Sequence, residues 1–145
     1  MLAKLLDWFE APQQAPEELS ADEAATVLMV EIMLADHDLD EREADLIAER
    51  LAKRTGDDKA TATALVQKAQ ERHSESPDLY PFTRVINDHF DEDQKYALVV
   101  DLWRTALADN TIDKLEEHMI RRIADMLYLH HSHFIQAKRE AQQES

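Results

Sequence analysis

Residues 24–35 form an almost continuous apolar run, which constrains the fold more than any other feature of the sequence. Glu31 is the only charged residue in this run, and a helix that is apolar on nearly every side belongs in the interior of a protein. Five acidic residues follow between Asp36 and Glu43. Acids at the C-terminal end of a helix oppose the helix dipole, which favours cations there. The acids therefore need a separate explanation, and a bound cation is one candidate.

The same pattern returns 73 residues later in the chain. In both copies an apolar stretch precedes an acidic turn, and an amphipathic stretch follows it. The acids that recur in register are Asp36, Asp40 and Glu43 in the first copy and Asp109, Asp113 and Glu116 in the second. Two copies are too few for a solenoid and fit two halves of one globule. We therefore predict an internal pseudo-twofold repeat that brings the two turns close together.

Length and composition indicate one all-helical domain. The chain has 145 residues, 44% of them hydrophobic, which is enough for a single core. One glycine and four prolines leave little turn chemistry for β-hairpins. We predict an all-α, single-domain bundle of about seven to eight helices.

Charge and cysteine content exclude several classes of function. The formal net charge is −15, so the surface repels phosphate backbones and nucleic acid is not an expected partner. The absence of cysteine excludes disulfides, thiolate metal sites and cysteine nucleophiles, and it fits a cytoplasmic location. A protein partner is compatible with this surface, but the sequence does not identify it or the oligomeric state.

We divide the chain into an N-terminal amphipathic helix with its linker (1–19), a helical domain (20–140) and a polar tail (141–145). Prolines at 12 and 16 mark the linker. We expect the first helix to pack on the domain rather than on a membrane surface, because surface anchoring needs more basic residues than this segment has. Ser20 with Glu23 three positions later predicts a capping box, and Ser132 is expected to cap the last helix.

The repeat also predicts a contact inside the core. Glu31 and Arg104 occupy equivalent positions in the two apolar helices. If these helices pack antiparallel about the pseudo-twofold axis, the two side chains can form a buried ion pair.

The two acidic turns predict a divalent-cation site. Its ligands would be Asp36, Asp40, Glu43, Asp109, Asp113 and Glu116. Hard cations such as Ca²⁺ and Mg²⁺ prefer carboxylate oxygens, so we expect either of them rather than Zn²⁺. The first turn is not an EF-hand, because Glu41 occupies the loop position that requires glycine.

Helix capping is the alternative explanation for four of these acids. Asp40 with Glu43, and Asp113 with Glu116, have capping-box spacing, and in that case the protein is an interaction or scaffold module without a metal. A metal-dependent hydrolase acting on nucleotides is a third alternative. It would need basic residues near the acids, and only Arg42 and Lys114 qualify. We therefore predict that the protein is not an enzyme.

Histidines give a weaker indication of a metal site. His130, His131 and His133 cluster late in the chain and could hold zinc or nickel. Without a cysteine or a nearby carboxylate as a fourth ligand, a solvated helix connection is the favoured interpretation.

The acidic turns resemble a known family. Residues 34–43 (LADHDLDERE) and 107–116 (LADNTIDKLE) are similar to the paired Ala-Asp-Gly-x-Ile-x-x-x-Glu turns of TerB-like (tellurite resistance) proteins. Residues 123–138 are similar to the C-terminal part of that family. The resemblance covers roughly residues 20–140, and His37 and Asn110 stand where the family commonly has glycine.

This resemblance implies an all-helical fold with internal pseudo-symmetry and an acidic surface proposed to bind metal cations. The six acids of the two turns match the family motif by position. Proteins of this family are implicated in tellurite and other stress responses, and related domains occur in membrane-anchored DnaJ-type co-chaperones. They are not established enzymes.

Overall fold

The structure, a computed structural model, describes residues 2–10, 19–35, 40–72, 78–107 and 113–143. Within these ranges it contains eight helices and no strand, so the prediction of an all-α fold is confirmed. In chain order the helices are α1 (Leu2–Glu10), α2 (Ala21–Met33), α3 (Glu41–Thr55), α4 (Lys59–Arg72), α5 (Tyr80–His89), α6 (Glu92–Leu107), α7 (Lys114–Met126) and α8 (His131–Gln143). None of these eight helices is long and apolar enough to cross a membrane.

Local sequence signals set several helix boundaries. Before α2, Glu23 donates its backbone N–H to Ser20 Oγ at 3.1 Å, and Glu23 Oε1 accepts the Ser20 N–H at 2.8 Å. The predicted capping box is therefore confirmed. Gly56 ends α3 with φ of 76° and donates its N–H to Ala52 O at 2.9 Å, because glycine adopts this left-handed conformation without strain.

The apolar helix α2 lies in the interior, as its sequence predicts, and contributes to two hydrophobic clusters. The first cluster joins α2 to α5, α6, α7 and α8. Its largest fully buried side chains are Leu28, Ile32, Leu79, Ile86, Leu102, Trp103 and Ile120. The second cluster joins α2 to α1, α3 and α4. Its largest fully buried side chains are Leu2, Leu5, Leu34, Leu51 and Leu65. Val27 and Val30 face the second cluster, so α2 separates the two.

The predicted buried ion pair between Glu31 and Arg104 is wrong. Arg104 lies on the exposed side of α6, and its Nη1 donates to Asp101 Oδ1 at 2.7 Å within the same helix. Glu31 is partly buried on α2, and burial raises the pKa of its carboxyl group to about 7. Equivalent sequence positions therefore have different surroundings.

The two halves repeat in element order more closely than in packing. Buried α2 precedes α3, as buried α6 precedes α7, and an aspartate caps the second helix of each pair. The third helices differ, because α4 packs mainly on α3 and α1, whereas α8 packs mainly on α6. The added helix α1 thus gives the first half a packing partner that the second half lacks among the described helices.

Candidate metal centre

The first acidic turn leads into α3 through Asp40. Asp40 is exposed, has an extended backbone and accepts the Glu43 N–H on Oδ1 at 2.8 Å. The Glu43 carboxylate is also exposed. Among the hydrogen bonds of the described residues, none returns from Glu43 to the Asp40 backbone, in contrast to the complete box at Ser20. Capping therefore accounts for one oxygen of Asp40 and for no side-chain oxygen of Glu43.

The second turn leads into α7 through Asp113 in a similar way. Asp113 is partly buried, and its Oδ1 accepts the Leu115 N–H at 3.0 Å. Asp113 accepts the N–H of the second residue after it, whereas Asp40 accepts the N–H of the third. Both aspartates therefore cap a helix, but with different hydrogen-bond partners. Glu116 follows in the first turn of α7 and is partly buried. The repeat thus places an aspartate with one oxygen outside the capping bond at the start of each helix.

A groove of about 580 Å³ adjoins the first turn, between the start of α3 and the face of α4. Its oxygen-bearing side chains are Asp40, Glu41, Asp45, Thr63, Gln67 and Gln70. Asp45 also forms an ion pair with Lys59, at 3.0 Å between Oδ1 and Nζ. Carboxylate and amide oxygens are the ligands that hard divalent cations prefer.

The α4 residues of this groove were not predicted as site residues. Thr63, Gln67 and Gln70 follow i, i+4, i+7 spacing, which places them on one helix face. This spacing could have grouped them, but it could not show that the face lies beside the start of α3.

The structure does not bring the predicted acids into one cluster within the part of the chain it describes. In that part, no three His, Asp or Glu side chains lie close enough together to hold a metal ion. Asp36 and Asp109, the two acids that capping-box spacing does not explain, lie outside the described residues. The helices that follow the turns belong to different clusters, α3 to the second and α7 to the first. A site shared between both turns therefore stays a prediction.

The late histidines form the connection between α7 and α8. His130, His131 and His133 are all exposed, and the rings of His130 and His133 lie 6.0 Å apart. His130 Nδ1 accepts the Ser132 backbone N–H at 3.2 Å and lies 2.8 Å from Ser132 Oγ. These contacts at the first turn of α8 give His130 the role of a helix cap. His37 lies outside the described residues.

These features define a class: an all-helical domain with a duplicated unit, in which a buried helix is followed by an acidic stretch and then by an aspartate-capped helix. The family profile described as tellurite resistance protein TerB matches residues 22–139, which include the sequences of both turns, all of α2 except its first residue, and helices α3 to α7 in full. The chain belongs to the TerB family. No curated protein and no solved structure matches it significantly. Helix α1 precedes the matched residues.

Proposed function

We propose that this TerB-family protein is a non-enzymatic cytoplasmic module that binds a divalent cation at its acidic turns. Ca²⁺ or Mg²⁺ is the expected ion, in preference to Zn²⁺, and a response to tellurite or to another stress is the expected process. The proposed ligands are Asp36, Asp40 and Glu43 of the first turn and Asp109, Asp113 and Glu116 of the second.

The observation that carries this proposal is the equivalent position of Asp40 and Asp113. Each is the N-cap of the helix after an acidic turn, and each uses only Oδ1 in the capping bond. The other oxygen of each carboxylate remains outside that bond, next to further acids in the sequence. The groove between α3 and α4 adds hydroxyl and amide oxygens beside the first turn. The net charge of −15 also raises the local concentration of cations around the protein.

A protein-interaction or co-chaperone-type scaffold without a metal is the second candidate function. The same capping bonds favour it, because they give Asp40 and Asp113 a structural role that needs no ion. Large exposed hydrophobic side chains also offer contact area to a protein partner, namely Leu46, Tyr80, Leu115 and Tyr128.

Isothermal titration calorimetry with Ca²⁺, Mg²⁺, Mn²⁺ and Zn²⁺ separates the two candidates. We expect binding heat with Ca²⁺ or Mg²⁺ that is lost when Asp36→Asn is combined with Asp109→Asn. Combining Asp40→Asn with Asp113→Asn should weaken binding while keeping both helix caps, since asparagine caps a helix as well as aspartate does.

A matched control removes the same amount of charge elsewhere. Asp88 and Asp125 are exposed acids on α5 and α7, outside both turns, so Asp88→Asn with Asp125→Asn should leave the binding heat unchanged. Absence of heat with every ion would leave the interaction module as the function. Nucleotide hydrolysis in the presence of Mn²⁺ would contradict the non-enzymatic assignment.

A further inference from the structure

Helix α1 is an amphipathic segment outside the family match that is docked on the domain. Leu2, Leu5 and Phe9 are at most 8% exposed and follow i, i+3, i+7 spacing along one face. Ala3 and Asp7 on the other side are exposed. The buried face joins the second hydrophobic cluster. Since the family profile begins at residue 22, α1 supplies apolar surface to a core that belongs mainly to the matched domain.

The surface that receives α1 is provided mainly by α4. We call this surface the α1 groove and define it by the buried α4 residues Ala62, Leu65, Val66 and Ala69, which share the second hydrophobic cluster with the buried face of α1 and with α3. The two alanines are small enough to let another helix approach closely, and the central leucine and valine provide apolar contact area. The apolar chemistry of the groove therefore suits one face of an amphipathic helix.

The two ends of α4 contact backbone groups at the two ends of α1. Asp57, just before α4, accepts the Leu2 backbone N–H on Oδ2 at 3.4 Å. Arg72, the last residue of α4, donates from Nη1 to the Phe9 carbonyl at 2.8 Å. An acid at the N-terminal end of a helix and a base at its C-terminal end both complement the helix dipole. Because every helix has these backbone groups, the two contacts constrain the direction and the length of a helix bound in the groove but not its sequence.

Side chains add specificity to this docking. Lys4 Nζ lies 3.1 Å from Glu23 Oε1, where Glu23 is buried and the lysine is 62% exposed. The Arg72 guanidinium also lies 6.0 Å from the Trp8 ring centre and 5.6 Å from the Phe9 ring centre, within the range of cation–π attraction. The groove therefore recognises apolar spacing, a basic residue and an aromatic C-terminal end.

We propose that the α1 groove is a helix-binding site, occupied by α1 in the free protein and by an amphipathic helix of a protein partner when that partner displaces α1. The partner helix carries apolar residues at i, i+3 and i+7, an aromatic residue at the last of these positions, and a base at i+2 to pair with Glu23. A nine-residue helix is marginal on its own in water, so α1 owes its helical state to docking and is open to competition. The net negative charge of the domain favours a basic partner. This proposal does not depend on cation binding.

Binding of an α1 peptide in trans tests the proposal on the full chain. A peptide of residues 1–10, with a fluorophore attached through a flexible C-terminal linker, is titrated by anisotropy against the wild type, Leu5→Asp and Ala3→Asp. Leu5→Asp places a carboxylate in the groove and releases α1, so we expect the peptide to bind this variant at least ten-fold more tightly than the wild type. Ala3→Asp introduces the same charge on the exposed face and should behave as the wild type. A peptide carrying the Leu5→Asp change should not bind, and Arg72→Gln in the Leu5→Asp chain should weaken binding.

Hydrogen exchange of the wild-type chain gives an answer even if Leu5→Asp does not fold. We expect the backbone amides of α1 to exchange at least ten-fold faster than those of buried α6, because α1 opens without global unfolding. Equal protection of α1 and α6 would overturn the proposal, as would equal peptide binding to Leu5→Asp and Ala3→Asp. Release of α1 by anionic vesicles, without peptide binding to Leu5→Asp, would assign α1 to a lipid surface and would also overturn it.

Discussion

Tyr128 shows how a single residue closes the end of a helix at a conformational cost. Its φ of 60° is the only positive value outside glycine in the described part of the chain. Its N–H bonds to Asp125 O, and the N–H of Leu129 bonds to Ala124 O, both at 3.0 Å. These two bonds form a Schellman motif at the end of α7, with Tyr128 at the position that usually holds glycine. The chain has one glycine, Gly56, which serves the same purpose after α3.

Replacing Tyr128 with glycine should therefore stabilise the protein. The tyrosine side chain is 76% exposed, so little packing is lost, whereas relief of the left-handed strain is worth about 1 kcal/mol. We expect the free energy of unfolding in urea to rise by roughly that amount for Tyr128→Gly. Tyr128→Ala keeps a Cβ in the same conformation and should leave stability within about 0.5 kcal/mol of the wild type. An equal gain in the free energy of unfolding for both variants would show that the gain comes from removal of the exposed ring and not from relief of backbone strain.

At the scale of the helix, two serines at helix starts have different roles. Ser20 Oγ accepts the Glu23 N–H, and Glu23 completes the capping box of α2. Ser132 instead lies inside the first turn of α8, where its own N–H bonds to His130 Nδ1. We expect Ser20→Ala to lower the free energy of unfolding by about 1 kcal/mol. Ser132→Ala is the matched control and should cost less than about 0.5 kcal/mol. Thermal unfolding followed by circular dichroism measures both, and equal losses would contradict the assigned roles.

The starts of α2 and α8 also show which helix boundaries a sequence can predict. Ser20 was recognised because a glutamate follows three positions later, which is a local pattern with a local hydrogen bond. The prediction that Ser132 caps α8 is wrong, since His130 precedes the helix and accepts the capping N–H through a ring nitrogen. The end of α7 at Met126 has no such local pattern, because neither glycine nor proline follows it closely. The left-handed residue that follows is a tyrosine, which gives no signal of a helix end.

At the scale of the whole molecule, sequence equivalence did not predict tertiary contacts. The repeat correctly identified Asp40 and Asp113 as residues that begin helices. The repeat did not predict the surroundings of Glu31 and Arg104. The helices of the two halves pack differently, since α4 packs mainly on α3 and α1 whereas α8 packs mainly on α6. The α4 side of the groove beside Asp40 was missed for the same reason, since it depends on packing between α3 and α4.

Net charge gives a prediction for the whole molecule. With 31 acids against 16 bases, repulsion between like charges destabilises the compact state. Raising NaCl from about 0.01 to about 0.1 M shortens the screening length from about 30 to about 10 Å. We therefore expect the thermal midpoint to rise by about 2–5 °C over this range, and choline chloride should have the same effect because screening does not depend on the identity of the cation.

Divalent ions at matched ionic strength then distinguish screening from a specific site. A cation that binds only the folded protein stabilises it by about 2.7 kcal/mol when the free cation concentration is about a hundred times the dissociation constant. This stabilisation raises the thermal midpoint further. We expect Ca²⁺ or Mg²⁺ to give this additional rise in the wild type and to lose it when Asp36→Asn is combined with Asp109→Asn, while the NaCl effect persists in that variant. A midpoint that falls with NaCl would instead show that attractive ion pairs, such as Arg54 with Asp101 at 2.8 Å, outweigh the repulsion among the acids.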